Sequence, residues 1–277
     1  MKRIIVTSDD FGAAIEVNEA VERAHRDGIL TCASLMVSGP AAADAVARAK
    51  RLPGLGVGLH LVLVEGTPAL PPEQVAGLVG TDGRFRTDMA RMGAAMFFLP
   101  AVRAQLRAEI SAQFEAFAAT GLPLDHVNAH KHFHLHPTIA GLIIEIGRRY
   151  GLKAVRAPVE PVSVLRQVEP ARHDATMMLA DGWARLLRRR LRRHGLAVPD
   201  QVFGLAWSGA MTADRLRALI PALPDGVSEI YAHPALTDDH PGHYPGYRYA
   251  DEFAALIDDA VVVRAKAAGP LIRFTDL

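Results

Sequence analysis

The sequence predicts an α/β fold, a single-domain distorted (β/α) barrel of the TIM-barrel type. Two observations carry that prediction. Strand-like runs alternate with helical periodicity along the chain, a pattern that builds a parallel sheet covered by helices. Polar side chains also close successive apolar runs, as they do at the C-terminal rim of a barrel. Asp9-Asp10 closes Ile4-Ile5-Val6-Thr7, and His60 closes Leu55-Gly56-Val57-Gly58-Leu59. A histidine-rich stretch from His130 follows Val127-Asn128-Ala129.

Taken in order, residues 2–6 form the first strand. Residues 16–25 place Val17, Ala20, Val21 and Ala24 on one helical face, with Gly28 as the stop. Residues 33–37 read as a strand, and Pro40 opens an Ala-rich helix toward Leu52. After the His60 strand come a strand over 125–129 with a helix over 138–150, and a strand over 153–156. Later strands are expected at 203–206, 226–232 and 271–274, with one helix from about 251 to 267. Two stretches interrupt the alternation. Residues 63–100 form a long apolar insertion or lid within the single 1–277 domain, rich in Met and Phe near its end. Residues 185–194 show a basic amphipathic pattern, expected as an exposed helix with a leucine face in the core.

Composition narrows the class. With 277 residues, half of them hydrophobic, the chain can bury one large core. A formal net charge of +1 supplies no basic field for nucleic acid. The single Cys32 excludes an intrachain disulfide framework and fits a reducing compartment. Strand-like residues begin at Lys2, which leaves no room for a signal peptide, and no run reaches the ~20 apolar residues of a spanning helix. The expectation is a soluble cytoplasmic protein.

Carboxylate and imidazole at three strand ends point to a catalytic divalent metal. Adjacent carboxylates such as Asp9 and Asp10 would repel if both stayed ionised and unpaired. A cation bound by one leaves the other free as a base, whereas the plainer reading makes them turn or capping residues. His60 alone would more often be a hydrogen-bonded structural histidine. Four histidines in seven residues, His130, His132, His134 and His136, are harder to assign to structure. Pro137 is a natural first helical residue, so His130 belongs at the strand end. An extended chain would carry His132 and His134 to one side, as groups around the metal or on substrate.

Three segments together, Thr7-Ser8-Asp9-Asp10-Phe11-Gly12, Gly58-Leu59-His60-Leu61 and Asn128-Ala129-His130-Lys131-His132-Phe133-His134, resemble the signature of the YdjC-like carbohydrate deacetylases. The likeness spans nearly the whole chain. More narrowly, residues 122–134, 203–209 and 245–252 are similar to the hopanoid-biosynthesis-associated branch known as HpnK. The resemblance implies a distorted β/α barrel that removes acetyl from N-acetylglucosamine by means of one divalent metal, in that branch on a hopanoid glycolipid. It places the metal ligands on Asp10, His60 and His130, the base on Asp9, an orienting arginine on Arg156 and an acid on His233. Lys131 stands where other members carry histidine. The resemblance also suggests a homodimer.

On that reading Asp9 takes a proton from water attacking the acetyl carbonyl, and His233 donates one to the departing amine. Imidazole ligands suit zinc, while carboxylate and water also suit magnesium; zinc is the expectation. A hopanoid sugar would require contact with a membrane surface, here the inner face, since no spanning helix is present. Met96, Phe97 and Phe98 are the expected apolar lip for the lipid, with His132 and His134 on the sugar; core packing is the alternative for the three apolar residues. Two rival functions share these residues: another metal-dependent hydrolase such as a phosphoesterase, and a catalytically silent carbohydrate- or lipid-binding protein.

Overall fold

Strand β1 (Lys2–Phe11) runs through the middle of a parallel sheet, with Ile4, Ile5 and Val6 fully buried. The structure, a computed structural model, is described over residues 1–170 and 175–277, with residues 175–180 described by backbone alone. Helix α1 (Ile15–Asp27) follows and buries Val17, Ala20, Val21 and Ala24, the face its spacing predicts. Then come β2 (Cys32–Leu35), α2 (Ala42–Ala49) and β3 (Gly56–Leu61). Helices α3 (Met89–Phe98) and α4 (Pro100–Ala119) precede β4 (Val127–Ala129) and α5 (Pro137–Gly147). The chain continues through α6 (Val162–Val168), α7 (Ala175–Arg193), β5 (Gln201–Phe203) and α8 (Ala213–Ala222). It finishes with β6 (Gly226–Ala232), α9 (Tyr249–Leu256) and α10 (Asp259–Ala268).

The sheet has the order β4-β3-β2-β1-β6-β5, with every pairing parallel. It is a curled half-barrel rather than a regular eight-stranded one. Its two edges are joined through the irregular segment 153–159. Val127 N–H donates to the Ala154 carbonyl at 3.1 Å, and Val202 N–H donates to the Val159 carbonyl at 2.9 Å. The strand expected at 153–156 is therefore present only as isolated bridges, Val127 to Val155 and Ala154 to Ala197. The strand expected at 271–274 is likewise reduced to one bridge from Ile4 to Leu271.

Polar side chains fill the inside of this half-barrel, and the glycines of β3 make room for them. A Cβ on Gly58 would lie 2.5 Å from the His126 ring, and one on Gly56 would lie 2.8 Å from the Asp125 carboxyl. Both distances are shorter than a Cβ contact allows, so a side chain at either position would displace the buried Asp125 or His126 side chain.

Two further differences from expectation have clear physical causes. The helix expected over 251–267 is two, because the Asp258 side chain caps α10 by accepting from Val261 N–H. Residues 63–100 hold α3, and α4 then fills the interval that the sequence pattern left unassigned. Buried Glu109 and Gln113 interrupt the apolar face of α4. They are satisfied by backbone: Glu109 accepts from Ala69 and Leu70 N–H, and Gln113 exchanges hydrogen bonds with both backbone groups of Val62. These bonds tie the segment after β3 to α4. In α7, Leu187 and Leu191 are buried, while Trp183 and Leu186 stay exposed.

Candidate metal centre and active site

The register of β1 against β2 shifts between Ser8 and Phe11, and Asp10 sits there at φ 61°. That left-handed turn, which Asp tolerates better than most residues, aims Asp10 away from Asp9. Asp10 Oδ1 lies 3.2 Å from His60 Nε2 and 3.2 Å from His130 Nδ1. His60 is the next-to-last residue of β3, and His130 directly follows β4. One donor atom from each of the three lies within 4.8 Å of the others.

The chemistry of these donors fits a divalent cation. His60 Nδ1 is 2.7 Å from Asn128 Oδ1, and an amide oxygen only accepts, so Nδ1 carries the proton. The Asn128 amide orientation is fixed in turn, because its Nδ2 donates to Asp9 at 3.0 Å and to Ser34 at 2.9 Å. In the neutral ring His60 Nε2 then carries the lone pair; it is buried, makes no hydrogen bond and faces Asp10. An imidazole oriented through its other nitrogen is the usual arrangement at metal sites.

Asp9 is held quite differently. Arg156 grips it with two bonds, Nη1 to Oδ2 at 2.6 Å and Nη2 to Oδ1 at 2.9 Å. The same guanidinium donates from Nε and Nη2 to Glu229 Oε1, which also accepts from Thr7. Arg156 is fully buried and Asp9 nearly so. Burial alone would push the Asp9 carboxyl up. The Arg156 charge and hydrogen bonds, with the His60 and His233 imidazoles, hold it well below the usual carboxylate range.

His233 follows β6 at the same end of the sheet. Its backbone N–H donates to Glu252 Oε2, and its Nδ1 lies 3.9 Å from the same oxygen. Glu252, fully buried on α9, also accepts from Met211 N–H. Asp9, Asp10, His60, His130, His132 and His233 all border one cavity of about 740 Å³. That volume lies within the range of about 300–1,000 Å³ typical of small-ligand sites.

Residues 130–135 are not extended. Lys131 and His132 adopt φ 51° and 53°, so the chain coils instead of alternating. His132 accordingly meets Tyr231 Oη at 3.0 Å and reaches the cavity. His134 turns inward, 3.0 Å from the Arg156 carbonyl, outside the cavity lining. Burial and the Arg156 charge drive the His134 imidazole down to about 3, so it is neutral and supports the backbone at Arg156. Glu65, in the segment after β3, is also left-handed at φ 51° and pairs with Lys131 across the cavity mouth. Each such residue costs about 1–2 kcal/mol, whereas a part-exposed ion pair contributes roughly 0–1 kcal/mol.

Of the residues expected to meet the lipid, Met96 is fully buried on α3. Phe97 and Phe98 are exposed on the outer surface, and none of the three borders the cavity. Arg156, Asp9 and His233 come together with the Asp10 cluster. Asn128, Glu229 and Glu252 were missed as contributors. Asn128 and Glu252 lie inside the quoted motifs, but nothing in the sequence shows what their side chains touch.

Among the described residues a second grouping, Cys32, Asp125 and His126, lies at the opposite, N-terminal end of the strands. Its polar atoms are already used. His126 bonds Ser34 and Asp125 at 2.9 Å each, and Asp125 also accepts from Thr275 N–H. Burial and the Asp125 charge push the Cys32 thiol well above its ordinary value, so it is no thiolate ligand. The grouping is structural.

The fold and this set of residues define an α/β protein with a carboxylate–imidazole cluster at one end of a parallel half-barrel. The chain belongs to the YdjC-like protein family, whose model matches residues 3–266. It is 31% identical to a carbohydrate deacetylase of Geobacillus stearothermophilus over 268 residues, 96% of this chain and 93% of that one. It is 34% identical to a carbohydrate deacetylase of Mus musculus over 252 residues, 88% and 78% of the two chains. Among solved structures it shares its fold with a candidate cellobiose-phosphate cleavage protein of Enterococcus faecalis V583. That match has a TM-score of 0.75 at 23% identity and covers 98% of this chain and 96% of the other.

Proposed function

We propose that the protein is a metal-dependent carbohydrate N-deacetylase. It would hydrolyse the acetamido group of an N-acetylglucosaminyl unit to acetate and the free amine, with a hopanoid glycolipid as the natural carrier. The observation that carries this is the placing of an arginine-gripped carboxylate, Asp9, beside the Asp10–His60–His130 donor set in one cavity. A binding protein has no need of such a carboxylate, and the deacetylases among its relatives support a hydrolytic role.

In this reading Asp10, His60 and His130 hold one divalent ion, with zinc suited to the two imidazoles. Bound there, the ion would polarise the acetyl carbonyl and acidify water toward a pKa of about 7. The remaining work falls to the chain. Asp9 accepts the proton of the attacking water. Arg156 and Asn128 keep both Asp9 oxygens oriented. His233 donates to the departing nitrogen, and Glu252 behind it holds the segment in place by accepting from the His233 backbone N–H. Acid and base contributions of this kind are typically worth ~10² to 10⁴ each.

The test is acetate release from a GlcNAc-hopanoid and from N,N′-diacetylchitobiose by the metal-loaded protein. Release from either supports the reading, and preference for the former supports the lipid carrier. Faster turnover of a chromogenic phosphate ester than of both would replace it with a phosphoesterase.

A further inference from the structure

The outer part of the cavity contains groups that hydrolysis does not use. Tyr247 is anchored by its hydroxyl, 2.7 Å from Ser208 Oγ, and its ring lies 5.2 Å from His233. Tyr244 follows, with its ring 5.2 Å from Tyr247 and 52% of its surface exposed. Its backbone N–H is fixed by the Tyr249 hydroxyl at 2.8 Å. Lys131 Nζ stands 5.2 Å from the centroid of the Tyr244 ring and is paired with Glu65. The wall thus runs from the proposed acid to the mouth, ending in a half-exposed aromatic ring with the Lys131 donor over it and the Glu65 acceptor paired to that donor.

The backbone makes this arrangement informative. Lys131 and Glu65 both hold left-handed conformations that glycine would adopt without strain. A half-exposed ion pair returns less than two such residues cost. Stability is therefore a poor reason for having side chains here, and strain retained beside a site points to use of those side chains.

We propose that Tyr244, Lys131 and Glu65 form a pyranose-binding subsite at the mouth of the cavity. The exposed Tyr244 ring seats the C–H face of a sugar ring, as an amphipathic aromatic surface can. Lys131 donates to one ring hydroxyl, and Glu65 accepts from another. With the lysine charge already neutralised by Glu65, the grip suits an uncharged hydroxyl-bearing ring better than a phosphorylated one. The proposal rests on the saccharide reading above and adds the residues that select the sugar.

The experiment measures N,N′-diacetylchitobiose binding by calorimetry, separately from acetate release. The proteins compared are the full-length wild type, Tyr244→Ala, Lys131→Gly and Glu65→Gly. Each variant should bind about tenfold or more weakly, the loss expected for an aromatic contact or a charged hydrogen bond. Both glycine variants should keep or raise the melting temperature, because they relieve left-handed strain. KM should rise more than kcat falls. If the wild type binds the disaccharide and all three variants bind it equally well, the subsite is wrong and the deacetylase reading stands. If binding weakens as expected but the wild type releases no acetate, the subsite stands and the deacetylase reading falls. If the wild type binds no N,N′-diacetylchitobiose, the subsite falls, while the deacetylase reading is decided separately by acetate release from the GlcNAc-hopanoid. Glycine variants with lowered melting temperatures and unchanged affinity would make the Lys131–Glu65 pair structural.

Discussion

Asp9 and Asp10 are neighbours in sequence yet answer to different partners, and that division decides what each substitution does. Asp10 faces two imidazoles, so Asp10→Ala, His60→Ala and His130→Ala should each lower the metal content of the purified protein, read by elemental analysis. Full metal occupancy in His130→Ala would move the ligand to another histidine. Asp9 faces Arg156 and Asn128. Asp9→Asn keeps its shape but accepts no proton, so it should retain metal and lose kcat by ~10² or more. Near-normal turnover would remove Asp9 from the reaction. His233→Ala should slow an amide far more than an activated ester, whose leaving group needs no proton. Equal damage to both substrates would make His233 a binding group.

At the scale of elements, the strand ends were legible because an apolar run closed by Asp or His states both its burial and its rim. Asp10, His60 and His130 share that signal; β3 and β4 end within one residue of where it places them, while β1, expected over 2–6, runs on to Phe11. The conformation of 130–135 was not legible, since left-handed Lys131 and His132 break the alternation that sequence reasoning assumes. Nor was α4, whose buried Glu109 and Gln113 disguise its inner face. The opposite end of the strands yields a pH prediction. Burial alone would raise the Asp125 carboxyl, but hydrogen bonds from His126 and Thr275 bring it down to about 2 from 3.8. A depressed carboxylate stabilises the fold above its unfolded value and loses that contribution as pH falls through its folded value. A shift of this size corresponds to about 2 kcal/mol. Asp125→Asn should therefore shift the urea midpoint at pH 7, and the difference from wild type should shrink as pH drops from about 4 toward 2. A difference independent of pH over that window would mean that Asp125 acts by shape rather than charge.

For the molecule as a whole, a lipid-linked sugar of the kind proposed would have to be brought to the cavity from a membrane surface. No helix among the described residues is long and apolar enough to cross a membrane. Phe97, Phe98 and Leu99 are 46%, 72% and 52% exposed at the end of α3, a concentration of apolar surface that core packing does not explain. Phe97 shares a shallow groove with Arg103, Arg107 and Arg190, and with Glu145, which pairs with Arg107. Seven residues before Arg190, on the same side of α7, Trp183 is also exposed. Aromatic side chains flanked by arginines suit the interface of an anionic bilayer. The surface lies outside the cavity lining, so its predicted role is docking of the protein rather than contact with the reacting sugar. Phe97→Ser combined with Phe98→Ser should weaken sedimentation with vesicles containing phosphatidylglycerol. It should also lower acetate release from a GlcNAc-hopanoid embedded in such vesicles, while turnover of soluble N,N′-diacetylchitobiose persists. Because both rings are exposed, the cost in stability should stay near the ~0.5 kcal/mol typical of surface changes. Equal loss on both substrates with a lowered melting temperature would make these phenylalanines part of the core. Unchanged vesicle binding would remove the membrane from the account.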